Sequence, residues 1–285
     1  MPSIDDLVND IYGLFGKEDV LEPDVAVQEL ALFREFGNNL HDIMETRFHV
    51  KREGGAHLRM SNIGRPDRQL WYDINGEGEK EKLLPATLIK FSYGDVIEQM
   101  MLLYAKMAGH TVENEQGEVE LEGIKGHIDA IIDGVLVDVK SASSFSFQKF
   151  DSGALFEPGN DPFGYTAQLC GYVEALGLER GGFLAVDKTL GKICFCEIPQ
   201  EVMQAYRVRD RIKHIKEVVA SPNLPPRCYP DVPDGKSGNM KLGTGCSYCP
   251  HKFTCWPELK TYYYSTGPRY LTKVVREPKV SFEDA

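Results

Sequence analysis

The sequence lacks any long apolar run. Across 285 residues no hydrophobic stretch approaches the ~20 needed to span a bilayer as a helix. It also lacks an excess of basic charge. Lys plus Arg number 32 against 43 Asp plus Glu, a formal charge of −11, which argues against a protein that simply coats nucleic acid. There is no internal repeat, no low-complexity tract and no Gly-x-x-x-x-Gly-Lys-Ser/Thr loop, so no intrinsic ATPase is expected. Residues 1–15 carry Asp5, Asp6 and Asp10 and no basic side chain, which does not fit a secretory leader. The expectation is an intracellular protein with no membrane association.

The remaining composition is that of a globular chain, 42% hydrophobic and 26% charged. That excludes a disordered chain, a collagen-like chain and a small disulfide scaffold. Charge is unevenly distributed. Arg47, Lys51, Arg52, Arg59, Arg65 and Arg68 face only Glu53 and Asp67 in residues 47–68, a local +4. Of the seven cysteines, Cys170, Cys194 and Cys196 sit in apolar surroundings and read as small buried hydrophobes. Cys228, Cys246, Cys249 and Cys255 are clustered, which in a reducing compartment points to a metal.

Apolar spacing predicts helices over residues 4–15, 25–44 and 88–108, the last closed by Gly109. The period then changes, and residues 111–122, 124–132 and 135–141 read as three strands. Residues 143–159 read as a mobile loop, 161–176 as a helix stopped by Gly177, and 182–187 with 192–197 as a hairpin. Residues 199–220 read as one helix carrying Arg207, Arg209, Arg211, Lys213 and Lys216. From Ser221 the chain reads as irregular up to the cysteines. The expected division is an N-terminal helical and basic region (1–87), a mixed α/β core (88–220), and a Cys-rich metal-binding module with tail (221–285).

The most informative segment runs from Gly126 to Lys140. Asp133-Gly134 between two apolar runs signals a two-residue hairpin. Such a turn sets Ile132 opposite Val135, Ile131 opposite Leu136, Ala130 opposite Val137, Asp129 opposite Asp138, and His127 opposite Lys140. Alternation then gives one apolar face, with His127, Asp129, Asp138 and Lys140 on the other. Carboxylates directly opposite one another lie about 5 Å apart and repel. Lys140 offsets part of this charge, and a divalent cation would offset more. All-oxygen ligands favour Mg²⁺ or Mn²⁺ over zinc. The plain alternative is a solvated acidic strand face.

With Asp129 and Asp138-Val139-Lys140 in place, the chain resembles the PD-(D/E)XK nuclease superfamily, and within it the RecB-like exonuclease branch. Gly94-Asp95-Val96-Ile97-Glu98 precedes the strands, where that family often places a metal-facing Glu. Gln168-x-x-x-Tyr172 resembles the helical element of the branch, and Arg68-Gln69-Leu70-Trp71-Tyr72 its upstream element. Cys246-x2-Cys249-x5-Cys255 resembles the C-terminal cysteine run of relatives that carry an iron–sulfur cluster. Those relatives have a further cysteine before the upstream Arg; here Arg65-Pro66-Asp67-Arg68 has none, and Cys228 is the natural substitute. Four local cysteines suit a structural Zn²⁺ or, alternatively, a 4Fe-4S cluster. His251 is a further possible ligand or an exposed side chain.

The resemblance implies a restriction-endonuclease-like mixed sheet flanked by helices, and metal-dependent hydrolysis of DNA phosphodiesters in recombination, repair or degradation. Glu98, Asp129 and Asp138, with the Val139 carbonyl, would hold Mg²⁺ or Mn²⁺. Lys140, its pKa lowered beside the metal, would position or deprotonate the attacking water. Gln168, Tyr172 and Arg68 would contact DNA. Arg47 to Arg68 and the Arg207 to Lys216 face would track phosphates, while Trp71, Tyr72 and Tyr262 to Tyr264 would stack on bases. Phe145, Phe147 and Phe150 would gate the site or pack. Family habits add a phage or mobile-element origin, hence the host cytoplasm, and a recombination or single-strand-binding protein as partner. Competing readings are a structure-specific endonuclease of the same fold, a non-catalytic DNA-binding protein, and a zinc-ribbon adaptor.

Overall fold

Helical spacing at the N-terminus becomes helix. The structure, a computed structural model, describes residues 2–16, 23–50, 57–76 and 80–284; Lys51, Arg52 and Glu53 of the basic stretch lie outside them. After a 3-10 turn, Ile4–Asp6, helix α1 (Leu7–Leu14) buries Leu7 and Ile11. Helix α2 (Pro23–His49) packs on α4. Helix α3 (Asp67–Asn75) buries Gln69, Leu70, Trp71 and Tyr72. Helix α4 (Pro85–Met107) starts at a proline suited to a first helical turn. The expected boundary at residues 87/88 therefore falls inside α4.

The three expected strands form five: β1 (Val112–Glu113), β2 (Glu118–Leu121), β3 (Ile124–His127), β4 (Ala130–Ile132) and β5 (Val135–Ala142). The first breaks where Asn114 and Gln116 adopt positive φ. The second breaks at Ile128 and Asp129, whose backbone bonds to Gly117 (3.0 Å) and Gln116 (3.1 Å) draw the chain away from β5. The hairpin register holds for Ala130–Val137, Ile131–Leu136 and Ile132–Val135 and stops there. His127 pairs with Glu118, not with Lys140 as expected. A tight turn fixes register only while both strands keep pairing, and β3 pairs with β2 instead.

Helix α5 (Ser144–Asp151) and a 3-10 turn, Ala154–Phe156, replace the expected loop. Ser143 caps α5 by accepting the Ser146 amide, and Phe147 and Phe150, three apart, are buried. Helix α6 (Tyr165–Leu176) begins where the Asp161 carboxylate accepts three amides, from Gly164, Tyr165 and Thr166, and ends at Gly177. Strands β6 (Gly181–Asp187) and β7 (Ile193–Glu197) follow. The single helix expected over 199–220 is broken by Arg207, at φ 46°, into α7 (Gln200–Tyr206) and α8 (Val208–Ala220).

The sheet order is β1-β4-β5-β6-β7, antiparallel except for parallel β5 and β6, whose connection runs through α5 and α6. One face packs Ala130, Val137, Val139 and Leu184 against α1 and α4. The other packs Leu136, Phe183 and Ala185 with residues of α5 and α6. Both faces are thus covered, so the polar residues of β5 lie inside the protein, not on a solvated face.

Beyond Ala220 a second five-stranded sheet replaces the expected irregular chain. It comprises β8 (Val232–Pro233), β9 (Met240–Lys241), β10 (Lys260–Tyr264), β11 (Gly267–Lys273) and β12 (Phe282–Asp284) in the order β12-β10-β11-β9-β8. Two single-turn helices, α9 (Thr244–Ser247) and α10 (Lys252–Cys255), hold the cysteine motif between β9 and β10. Tyr262 is buried in this sheet and donates to Glu277 at 2.6 Å, so it has no face for a base. Among the described residues no helix is long and apolar enough to cross a membrane.

Candidate active site

Asp138 and Lys140 are two apart on β5 and share a face. Asp138 is 2% exposed. Its Oδ1 accepts from Gln168 Nε2 at 3.2 Å, and its Oδ2 pairs with the Lys140 ammonium. Lys140 Nζ also lies 5.0 Å from the centre of the Tyr165 ring and 6.0 Å from that of Phe183.

Asp129 reaches the same place by a route the turn geometry did not give. It is not a ladder partner of Asp138. It lies just before β4, and its Oδ2 accepts the Val139 amide at 2.7 Å. The carboxylate stands in for the strand acceptor that is missing once β3 has turned away. A residue's N–H and C=O leave a strand on the same edge, so the Val139 carbonyl faces this gap too.

Glu98 comes from the middle of α4 and accepts from Gln116 Nε2 at 2.6 Å and Gln99 Nε2 at 3.4 Å. Burial, then repulsion by Asp138 and Asp95, pushes its pKa up to about 7. Burial and the charges of Asp138 and Glu98 raise Asp129 well above the carboxylate range. Burial alone would lower Lys140, but attraction by Asp138 and Asp129 outweighs it and holds the ammonium above its ordinary value. Asp138, Asp129 and Glu98 thus gather around the Lys140 ammonium. Among the described residues these carboxylates do not offer three oxygens within 4.8 Å of one another; the exposed His41, Asp42 and Glu45 of α2 are the group that does.

Gln168 joins the site, but the other expected DNA contacts turn inward. Tyr172 is 2% exposed and lies four residues from Gln168 on the same face of α6, so it packs beside that amide and not against solvent. Arg68 donates to the Pro225 carbonyl at 2.6 Å and the Tyr72 hydroxyl at 3.3 Å. Trp71 and Tyr72 are buried, with Trp71 Nε1 donating to Ser221 and Tyr72 stacked on His251. His251 is buried and bonded to Asp73 at 3.0 Å, not exposed. Arg47 pairs with Asp95, Arg211 with Asp67, and Arg209 with Glu122 and Glu174. Phe147 and Phe150 are core, whereas Phe145 is exposed. Sequence reasoning missed Gln116, which gave no signal, and Tyr165, which shares a helical face with Gln168 and Tyr172 at spacings of three and four.

Cys228, Cys246, Cys249 and Cys255 line one cavity of about 30 Å³, together with Arg68, Tyr72 and His251. Arg68 donates to the Pro225 carbonyl just before Cys228, which ties α3 to the module. Burial, and then the neighbouring thiols, push Cys246 up to about 12. Burial also takes Cys249 up to about 11. Among the described residues no three of these sulfurs lie within 4.8 Å of one another.

No family model matches the sequence, and no curated protein matches it. Solved structures do. The chain is similar in fold to alkaline and phage-related exonucleases. The alkaline exonuclease of Laribacter hongkongensis is 13% identical, with a TM-score of 0.40 over 58% of this chain and 89% of that one. The same enzyme in complex with dAMP gives 14% and 0.42 over the same shares. A phage-related exonuclease from Haemophilus somnus 129PT is 16% identical, with a TM-score of 0.40 over 62% of this chain and 96% of that one.

Proposed function

We propose that the protein is a metal-dependent deoxyribonuclease, an exonuclease with a restriction-endonuclease-like core, that hydrolyses DNA phosphodiesters at Glu98, Asp129, Asp138 and Lys140. The observation that carries this reading is the buried Asp138 carboxylate, paired with the Lys140 ammonium while two further carboxylates crowd the same place. Excess buried negative charge is costly unless compensated, and a hard divalent cation compensates it. Mg²⁺ keeps several waters and takes one or two protein carboxylates directly. Asp129 and Asp138 as direct ligands, with Glu98 acting through water, therefore suit the spacing of these groups. When bound, the cation would polarise the scissile phosphate and generate a nucleophile from water.

The protein's own residues perform the rest. Gln168 fixes the rotamer of Asp138, and the Val139 amide fixes Asp129. Lys140, paired with Asp138, would position the attacking water and neutralise the developing phosphate charge. In the cysteine module, tetrahedral zinc at Zn–S ≈ 2.3 Å would draw the sulfurs to about 3.8 Å apart. The wider spacing of the thiols and the cavity between them favour a 4Fe-4S cluster.

The test is digestion of end-labelled linear and closed-circular DNA with Mg²⁺ or chelator. Linear DNA should be lost only with Mg²⁺, and closed circles should survive. An Asp138→Ala variant should bind DNA without cutting it; full activity in that variant would remove the reading, and cutting of circles would favour the endonuclease.

A further inference from the structure

A strip of aromatic rings and cations leads away from the carboxylates, and the chemistry above does not use it. It starts at Tyr165, whose ring faces Lys140 Nζ. The Phe163 ring centre lies 5.6 Å from that of Tyr165, and Tyr248 lies 5.6 Å from Phe163, edge to face. The Arg65 guanidinium stands 5.9 Å from the Phe163 ring centre. Tyr229 rests on Gly245, where a Cβ would meet its ring at 2.7 Å. Tyr248 is 68% exposed, while Arg65, Phe163 and Tyr165 are half-buried. The rings are thus anchored from below and open above.

Two features hold the strip together. Gly64 and Gly164 interlock, each leaving no room for a Cβ against the other's backbone, which sets Arg65 beside Phe163 and Tyr165. Tyr248 sits in the turn between Cys246 and Cys249, so the cysteine module supplies the far end. The nearby Asp161 carboxylate does not oppose an anion freely, because it is committed to three amides at the start of α6.

We propose that this strip binds the unpaired strand of a DNA substrate and leads it to Lys140 and the carboxylates. The proposal rests on the nuclease reading and adds a substrate class to it. Single strands are held by base stacking on aromatic faces combined with cations on the phosphates. A duplex hides its base faces, and binding it needs a broad basic surface. The chain carries −11 overall, and Arg209 and Arg211 are spent on internal ion pairs. The strip instead supplies two exposed rings, Tyr248 and Tyr229, and two half-buried ones, Phe163 and Tyr165, with Arg65 among them.

The test is fluorescence anisotropy in chelator, where nothing is cut, using oligo-dT of about 20 nucleotides and a blunt duplex of equal length. A lost stacking contact should weaken oligo-dT binding by Tyr248→Ala about tenfold, while duplex binding and melting temperature stay unchanged. Tyr248→Phe keeps the ring and should bind like the wild type. Unaltered oligo-dT affinity in Tyr248→Ala, or a wild type that prefers duplex, overturns the proposal. Addition of Mg²⁺ separates the two readings. Tyr248-dependent binding without cleavage removes the nuclease and leaves the strip. Cleavage with Tyr248-independent binding removes the strip and leaves the nuclease.

Discussion

The carboxylates around Lys140 make the metal-free protein sensitive to pH in an unusual direction. Glu98 is pushed from 4.5 up to about 7 by burial and by Asp138 and Asp95. An acid with a raised folded-state pKa keeps its proton longer folded than unfolded. Its contribution is therefore favourable at low pH and is lost as pH rises from about 4.5 through 7. One pKa unit corresponds to about 1.4 kcal/mol, so Glu98 alone removes roughly 3 kcal/mol across that window. For a chain of this size that is a fall of ~5–10 °C in melting temperature, and Asp129, raised in the same direction, adds to it. The assay is thermal melting in chelator from pH 5 to 8, repeated with excess Mg²⁺. In chelator the melting temperature should fall as pH rises. With Mg²⁺ the trend should vanish or reverse, because the cation binds only the deprotonated carboxylates. Glu98→Gln should flatten the chelator curve. A flat curve for the wild type in chelator, or the same slope in Glu98→Gln, would refute the crowded-carboxylate account.

Lys140→Met removes the ammonium paired with Asp138. Melting in chelator at pH 8 should show about 3 kcal/mol lost, as for a broken buried pair, with Mg²⁺ restoring part of the loss but not DNA cleavage. Gln168→Ala deletes the amide that holds Asp138; steady-state kinetics should show kcat falling several-fold with KM unchanged, whereas a DNA contact would raise KM. Cys246→Ser should abolish the visible absorbance of the metal-loaded protein and lower its melting temperature, since a structural metal site contributes folding energy directly.

The sequence by itself determined what local chemistry controls. Asp133-Gly134 fixed the turn and its three nearest pairs, Gly177 ended α6, and the alternation Asp138-Val139-Lys140 set both functional groups on one face. The clustered cysteines and the Gln168–Tyr172 spacing were legible for the same reason, since i and i+4 on a helix meet whatever surrounds them. Local signals did not reach the C-terminal sheet, whose strands β8 and β9 are two residues long and show no period, nor the break at Arg207.

Only the tertiary structure decided which charged and aromatic groups remain available. The basic runs read as DNA contacts because sequence shows a charge without its partner; folding paired Arg211 with Asp67 and Arg47 with Asp95, and turned Arg68 towards Pro225. Asp129 reached the site through the Val139 amide because β3 left the hairpin to pair with β2, a choice made by residues ten positions away. Burial of β5 on both faces converted an acidic strand into a crowded, poorly solvated charge cluster, because Coulomb repulsion and desolvation depend on distance and enclosure, which no run of letters states.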